Sequence, residues 1–82
     1  MINKNKVLEI VVKALQVDAE SISIDSSSDN AEEWDSLAHL TILLELDRKL
    51  DGKAGKINDL ATATSVRAIL EILKKHDLIS DD

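Results

Sequence analysis

Leu8, Val11, Val12 and Leu15 stand at i, i+3, i+4 and i+7, and Val66, Ile69, Leu70 and Leu73 take the same spacing near the other end of the chain. Only a helix brings such positions to one face, so each end contributes an apolar stripe that must find a common core. Hydrophobic residues make up 44% of the chain, yet Trp34 is the single aromatic, and the core is therefore built from Leu, Ile, Val and Ala. Proline is absent, and Gly52 and Gly55 are the only glycines, so one place is marked for a break between helices. The fold class expected is all-α.

The 82 residues fit one domain, 1–82. A chain of this size buries roughly 60 to 65% of the surface its unfolded form exposes, too little to enclose a deep active site. The net charge is −6, so a phosphate-binding basic face, and with it nucleic acid, is not expected. Long-range attraction favours partners with basic surfaces instead. The chain holds no cysteine, which removes disulfides, thiolate nucleophiles and thiolate metal sites. No apolar run reaches the roughly 18 residues of a membrane span, and the start reads as a charged amphipathic segment; a cytoplasmic monomer is the expectation.

The first helix is expected over about Asn5–Gln16, capped by Asn3 or Asn5, with Val7, Ile10 and Ala14 widening its stripe. Residues 17–35 keep no period, and Val17, Ile22 and Ile24 are expected to pin this long loop to the bundle. Leu37, Leu40, Leu43, Leu44 and Leu50 outline a second helical stripe, which Ile42 and Leu46 extend around much of the circumference. Such a helix is either central or meets something else. Ile57–Ala61 has room for a turn or two of helix. The last helix follows a Thr62, Thr64 and Ser65 capping cluster and ends at Lys74, Lys75 and His76, whose charges suit a helix C-terminus. The architecture expected is a small four-helix bundle, three main helices and one short, with a long loop between the first two. Leu8, Val12, Leu15, Leu40, Leu44, Ile69, Leu70 and Leu73 are the expected core.

Between the long loop and the second stripe lies Trp34-Asp35-Ser36-Leu37. Asp35 is placed to cap the first free amides, and Ser36 falls in the first turn, where the helix dipole favours an anion joined to its hydroxyl. Asp-Ser-Leu alone occurs by chance in roughly 3% of chains this long, so position and context carry the weight. With them, Asp35-Ser36-Leu37-Ala38-His39-Leu40 resembles the modification site of acyl carrier proteins, and the likeness runs from about Val7 to Leu73. The resemblance implies phosphopantetheine joined covalently to Ser36, with Asp35 and Leu37 completing the recognition motif and the acyl or aminoacyl cargo held as a thioester. It implies that the chain is no enzyme. It further implies a phosphopantetheinyl transferase as partner, then acyl- or aminoacyl-loading ligases and acyltransferase or synthase enzymes, met by Leu37, Leu40, Glu45 and Asp47. Ala38, His39 and Thr41 stand where fatty-acid carriers are usually acidic, which points to a specialised lipid, polyketide, aminoacyl or surface-glycan pathway.

Rival readings are weaker. An acidic helical adaptor with this layout and no prosthetic group is the alternative of a different class. A calcium loop opening at Asp25 needs glycine sixth and glutamate twelfth, where the chain has Asn30 and Ser36, and a loop from Asp47 fails likewise. A hydrolase using Ser36 and His39 lacks a nucleophile elbow and an orienting acid. For Trp34, a half-buried loop anchor with its N–H bonded is favoured over packing beside the serine. For His39, a solvated surface histidine is favoured over a donor to the attached phosphate.

Overall fold

The computed structural model describes residues 2–80, so the two ends of the expected domain, 1 and 81–82, lie outside the described residues. The chain is mostly helical, and the described residues form no strand. Three α-helices carry the fold: α1 over Lys4–Leu15, α2 over Ser36–Lys49 and α3 over Val66–Lys75. Three 3₁₀ helices, Ala19–Ser21, Ala54–Lys56 and Asn58–Thr62, fill the connections, and the last stands where a short helical piece was expected. No helix among the described residues is long and apolar enough to cross a membrane.

Each α-helix starts on the side chain that its sequence supplies. Asn3 rather than Asn5 caps α1, its Oδ1 accepting from the Lys6 amide at 2.9 Å. Asp35 does the same for Ala38 at 2.9 Å, and Ser65 for Ala68 at 3.0 Å. Such caps satisfy amides that have no partner inside the helix. After α2 the backbone turns through left-handed Asp51 and Gly52, with φ of 54° and 83°, and the Gly52 amide bonds the Asp47 carbonyl. At Gly55 a different constraint applies. Its amide donates to Asp47 Oδ1 at 2.7 Å, and a Cβ there would meet the same oxygen at 2.9 Å.

One contiguous core holds the helices together. Val7, Ile10, Val11 and Leu15 enter it from α1, Ala38, Ile42 and Leu46 from α2, and Val66, Ile69 and Leu73 from α3. Ile22 is buried, with Val17 and Ile24 packed against the core, as expected of residues that pin the α1–α2 connection. That connection is also bonded to α3: the Val66 amide donates to the Ser26 carbonyl, the Ser28 amide to the Thr64 carbonyl, and Arg67 Nη2 meets Asp25 Oδ1 at 2.7 Å. Ile2 pairs with Ile79, joining the two end segments.

The expected core needs correction. Leu15, Ile69 and Leu73 are buried, but Leu8, Val12 and Leu70 lie only partly buried at its edge, because α1 turns its Val7–Ile10–Val11 face inward. Leu40 and Leu44 are not core residues at all, being 52% and 61% exposed. Leu37 joins them at 73%. In α2 the buried row is Ala38, His39, Ile42 and Leu46, nearly opposite the leucines. Hydrophobicity alone does not choose between two apolar faces; the buried one also carries His39, whose two ring nitrogens both find partners inside the protein.

Candidate functional site

Ser36 is the first residue of α2 and is exposed. Asp35, its neighbour, is the N-cap, with extended backbone that turns the chain into the helix. Since Asp35 takes the Ala38 amide, the Ser36 and Leu37 amides are left, and neither they nor the Ser36 hydroxyl makes a hydrogen bond among the described residues. Two free N–H groups at the positive end of a helix form an environment suited to an anion on the serine oxygen. Beside the hydroxyl opens a cleft of about 520 Å³, walled by Trp34, His39, Leu40, Leu43 and Ala61.

The floor of this cleft is a buried polar relay. Trp34 is 3% exposed and His39 7%. The indole Nε1–H donates to His39 Nδ1 at 3.1 Å, and His39 Nε2 lies 2.9 Å from the Leu60 carbonyl. An indole nitrogen donates only, so Nδ1 must accept; Nε2 then carries the proton and donates to Leu60. The geometry therefore fixes one neutral tautomer. The two rings stack with centroids 6.1 Å apart and 26° between planes. Three separate pieces of chain are joined in this way: the approach to Ser36, the first turn of α2 and the 3₁₀ helix Asn58–Thr62.

Both side chains thus depart from expectation. Trp34 is a loop anchor with its N–H bonded, but it is fully rather than half-buried. His39 is neither solvated nor a donor to a phosphate, because both ring nitrogens are already engaged inside the protein. His39, Ile42 and Leu46 stand at i, i+3 and i+7, but Leu37, Leu40 and Leu44 take the same spacing, so periodicity does not choose between the two rows. Ala38 is buried too, at 8%. Of the three residues expected to replace exposed carboxylates, Thr41 alone is at the surface.

The remaining site residues divide. Leu37 and Leu40 lie on the same free face as Ser36, continued by Thr41 and Leu44. Glu45 and Asp47 do not join them. Glu45 pairs with Arg48 at 3.5 Å and borders a groove between α1 and α2, while Asp47 is held by the Gly55 amide. Exposed leucines in a row are unusual on a chain this small, where apolar surface has little room to spare, and contiguous apolar patches mark interaction sites. Comparison with protein-family models, with curated proteins and with solved structures found nothing similar to this chain.

Proposed function

We propose that the chain is a carrier protein whose Ser36 bears phosphopantetheine. The observation that carries this reading is the setting of Ser36: an exposed, unbonded hydroxyl at the first position of α2, behind an Asp35 cap, with two free amides beside it. The element order supports it as well. Three α-helices, with the serine opening α2 and a short 3₁₀ piece before α3, come in the order that a resemblance to acyl carrier proteins implies. When attached, phosphopantetheine supplies a thiol on a mobile arm, which this cysteine-free chain lacks, and acyl or aminoacyl groups ride on it as thioesters.

The chain's own residues have limited tasks. Asp35 holds the first turn in register, so that the Ser36 oxygen faces outward. The Ser36 and Leu37 amides and the helix dipole favour the phosphodiester charge. Leu37, Leu40 and Leu44 offer partners an apolar strip, and the −6 charge draws basic surfaces toward it. The partners proposed are a phosphopantetheinyl transferase, using coenzyme A in its own site, then loading ligases and acyltransferases or synthases. An adaptor without a prosthetic group would use the same leucine strip. Intact mass separates the two readings: incubation with coenzyme A and a broad-specificity transferase adds one phosphopantetheine to the native chain and none to Ser36→Ala. A native chain that gains nothing, or an alanine variant that still gains the group, removes the carrier assignment.

A further inference from the structure

A second groove lies on the other side of α2. It has a volume of about 490 Å³ and an apolar floor of Leu8 and Val12 from α1 with Ala19 and Ile22 from the connection. Its rim is unlike the rest of the protein. Lys6, Lys13, Arg48 and Lys49 surround it, four of the chain's ten Lys and Arg residues, against two carboxylates, Glu9 and Glu45. Four cations against two anions leave a local +2 on a chain of −6. Both carboxylates are moreover engaged, Glu9 with Lys6 at 4.0 Å and Glu45 with Arg48 at 3.5 Å. Lys13 and Lys49 form no ion pair among the described residues. Each sits in the last turn of its helix, where a cation suits the helix dipole, but that preference does not require both to flank one apolar groove.

We propose that this groove binds a single-chain anionic amphiphile, an alkyl chain carrying a carboxylate, with the chain on Leu8, Val12, Ala19 and Ile22 and the head between Lys13 and Lys49. Charge complementarity selects the head: a cationic rim on an acidic protein discriminates against the basic surfaces that its net charge otherwise attracts. Size selects the chain. The volume falls within the roughly 300 to 1,000 Å³ of small-molecule sites. Leu8 to Val12 is only about 6 Å of helix rise at 1.5 Å per residue, too short a floor for the i to i+7 anchors of a docked amphipathic helix. Lysine stems line the rim with methylene groups, so that ammonium heads reach the carboxylate while the stems cover the alkyl chain.

The inference does not depend on Ser36, and the test separates them by using ¹⁵N-labelled Ser36→Ala protein, which has no attachment oxygen. Sodium dodecanoate, titrated below its micelle concentration, should give saturable one-to-one binding, with amide shifts centred on Leu8, Val12, Ala19 and Ile22. Dodecyltrimethylammonium, with the same chain and the opposite charge, should bind at least tenfold more weakly. A Lys13→Glu/Lys49→Glu double variant, checked by circular dichroism for unchanged helicity, should lose at least tenfold for dodecanoate. Three results would each overturn the proposal: shifts centred on Leu40, Leu43 and Ala61 instead, binding that never saturates, or equal affinity for the two amphiphiles. The comparison of ligands needs no substitution in the groove, so it decides even if the double substitution unfolds the chain.

Discussion

Two clefts flank α2, and they share little beyond aliphatic side chains in their linings. The cleft beside Ser36 has Asp35 as its charged wall residue and a floor made rigid by the Trp34–His39–Leu60 relay. The groove toward α1 has an aliphatic floor without a buried polar bond, and six charged residues stand around it. The first cleft is therefore defined by hydrogen bonds with fixed directions, the second by packing and by long-range charge. A helix that is apolar on most of its circumference makes both possible: one row enters the core, one borders each cleft, and Leu37 and Leu44 stay free beside Leu40, which also walls the first cleft. What distinguishes these faces is the polar chemistry at their edges.

The contrast between the buried and the free rows of α2 should give the largest effect. Leu46 is fully buried, so Leu46→Ala should cost about 2 to 5 kcal/mol, the loss of transfer energy plus the cavity left behind. Leu44→Ala, two residues away and so on nearly the opposite face, should fall within about 0.5 kcal/mol of the parent. Urea denaturation of both variants measures the difference. Equal costs would mean that α2 is rotated from the orientation described.

Next in size is the relay. His39→Leu keeps the bulk of the side chain and removes both bonds. The Leu60 carbonyl retains the Ala63 amide at 3.2 Å, so the buried indole N–H is the group left without a partner. An unsatisfied buried donor costs about 1 to 3 kcal/mol, and His39→Gln, which offers an acceptor and a donor, should recover part of it. Trp34 emission reports the local change directly, because it is the only aromatic. A His39→Leu protein as stable as the parent, with unshifted emission, would show that the relay does not hold the cleft.

How much of this was legible in sequence depends on what kind of interaction decides each feature. Capping is local, and Asp35 was readable because the capped amide lies three residues on. The same logic left Asn3 and Asn5 open for α1 and Thr62, Thr64 and Ser65 open for α3, and the structure chose Asn3 and Ser65. The face of α2 was not readable: its leucines are larger in number on the free side, and the buried side includes His39, which reaches a carbonyl 21 residues away. No local pattern encodes that contact. Ser36 was legible by its position, since a serine following a capping aspartate at a helix start needs no long-range information. The cationic groove was hidden for the opposite reason, as Lys6, Lys13, Arg48 and Lys49 come from two helices and look like ordinary solvated faces in one dimension.

A smaller effect separates the two roles of Asp35. Its removal in Asp35→Ala should cost about 1 kcal/mol of stability, the usual value of an N-cap, and Ser65→Ala should cost about the same at the start of α3. The two caps differ in what they serve. Ser65 supports packing alone, whereas Asp35 also fixes the turn that presents Ser36, so Asp35→Ala should slow modification by a transferase while Ser65→Ala leaves it unchanged. Equal slowing by both variants would trace the effect to lost stability.

The smallest stability change, and the one most telling for the proposed function, belongs to the free row. Leu37, Leu40 and Leu44 are 73%, 52% and 61% exposed, so replacing each by serine removes little burial and should shift stability by no more than about 0.5 kcal/mol. If these residues form the strip that partner enzymes cover, each substitution should nonetheless lower kcat/KM for coenzyme A-dependent modification, and a tenfold loss corresponds to about 1.4 kcal/mol of binding in the transition state. The Lys13→Glu/Lys49→Glu protein supplies the control from the other side of α2. It should be modified at the parental rate, because neither lysine belongs to the strip. If the leucine variants match the parent in modification, and in subsequent loading by a ligase, then the free row is not a partner surface and the two sides of α2 are equivalent in that respect.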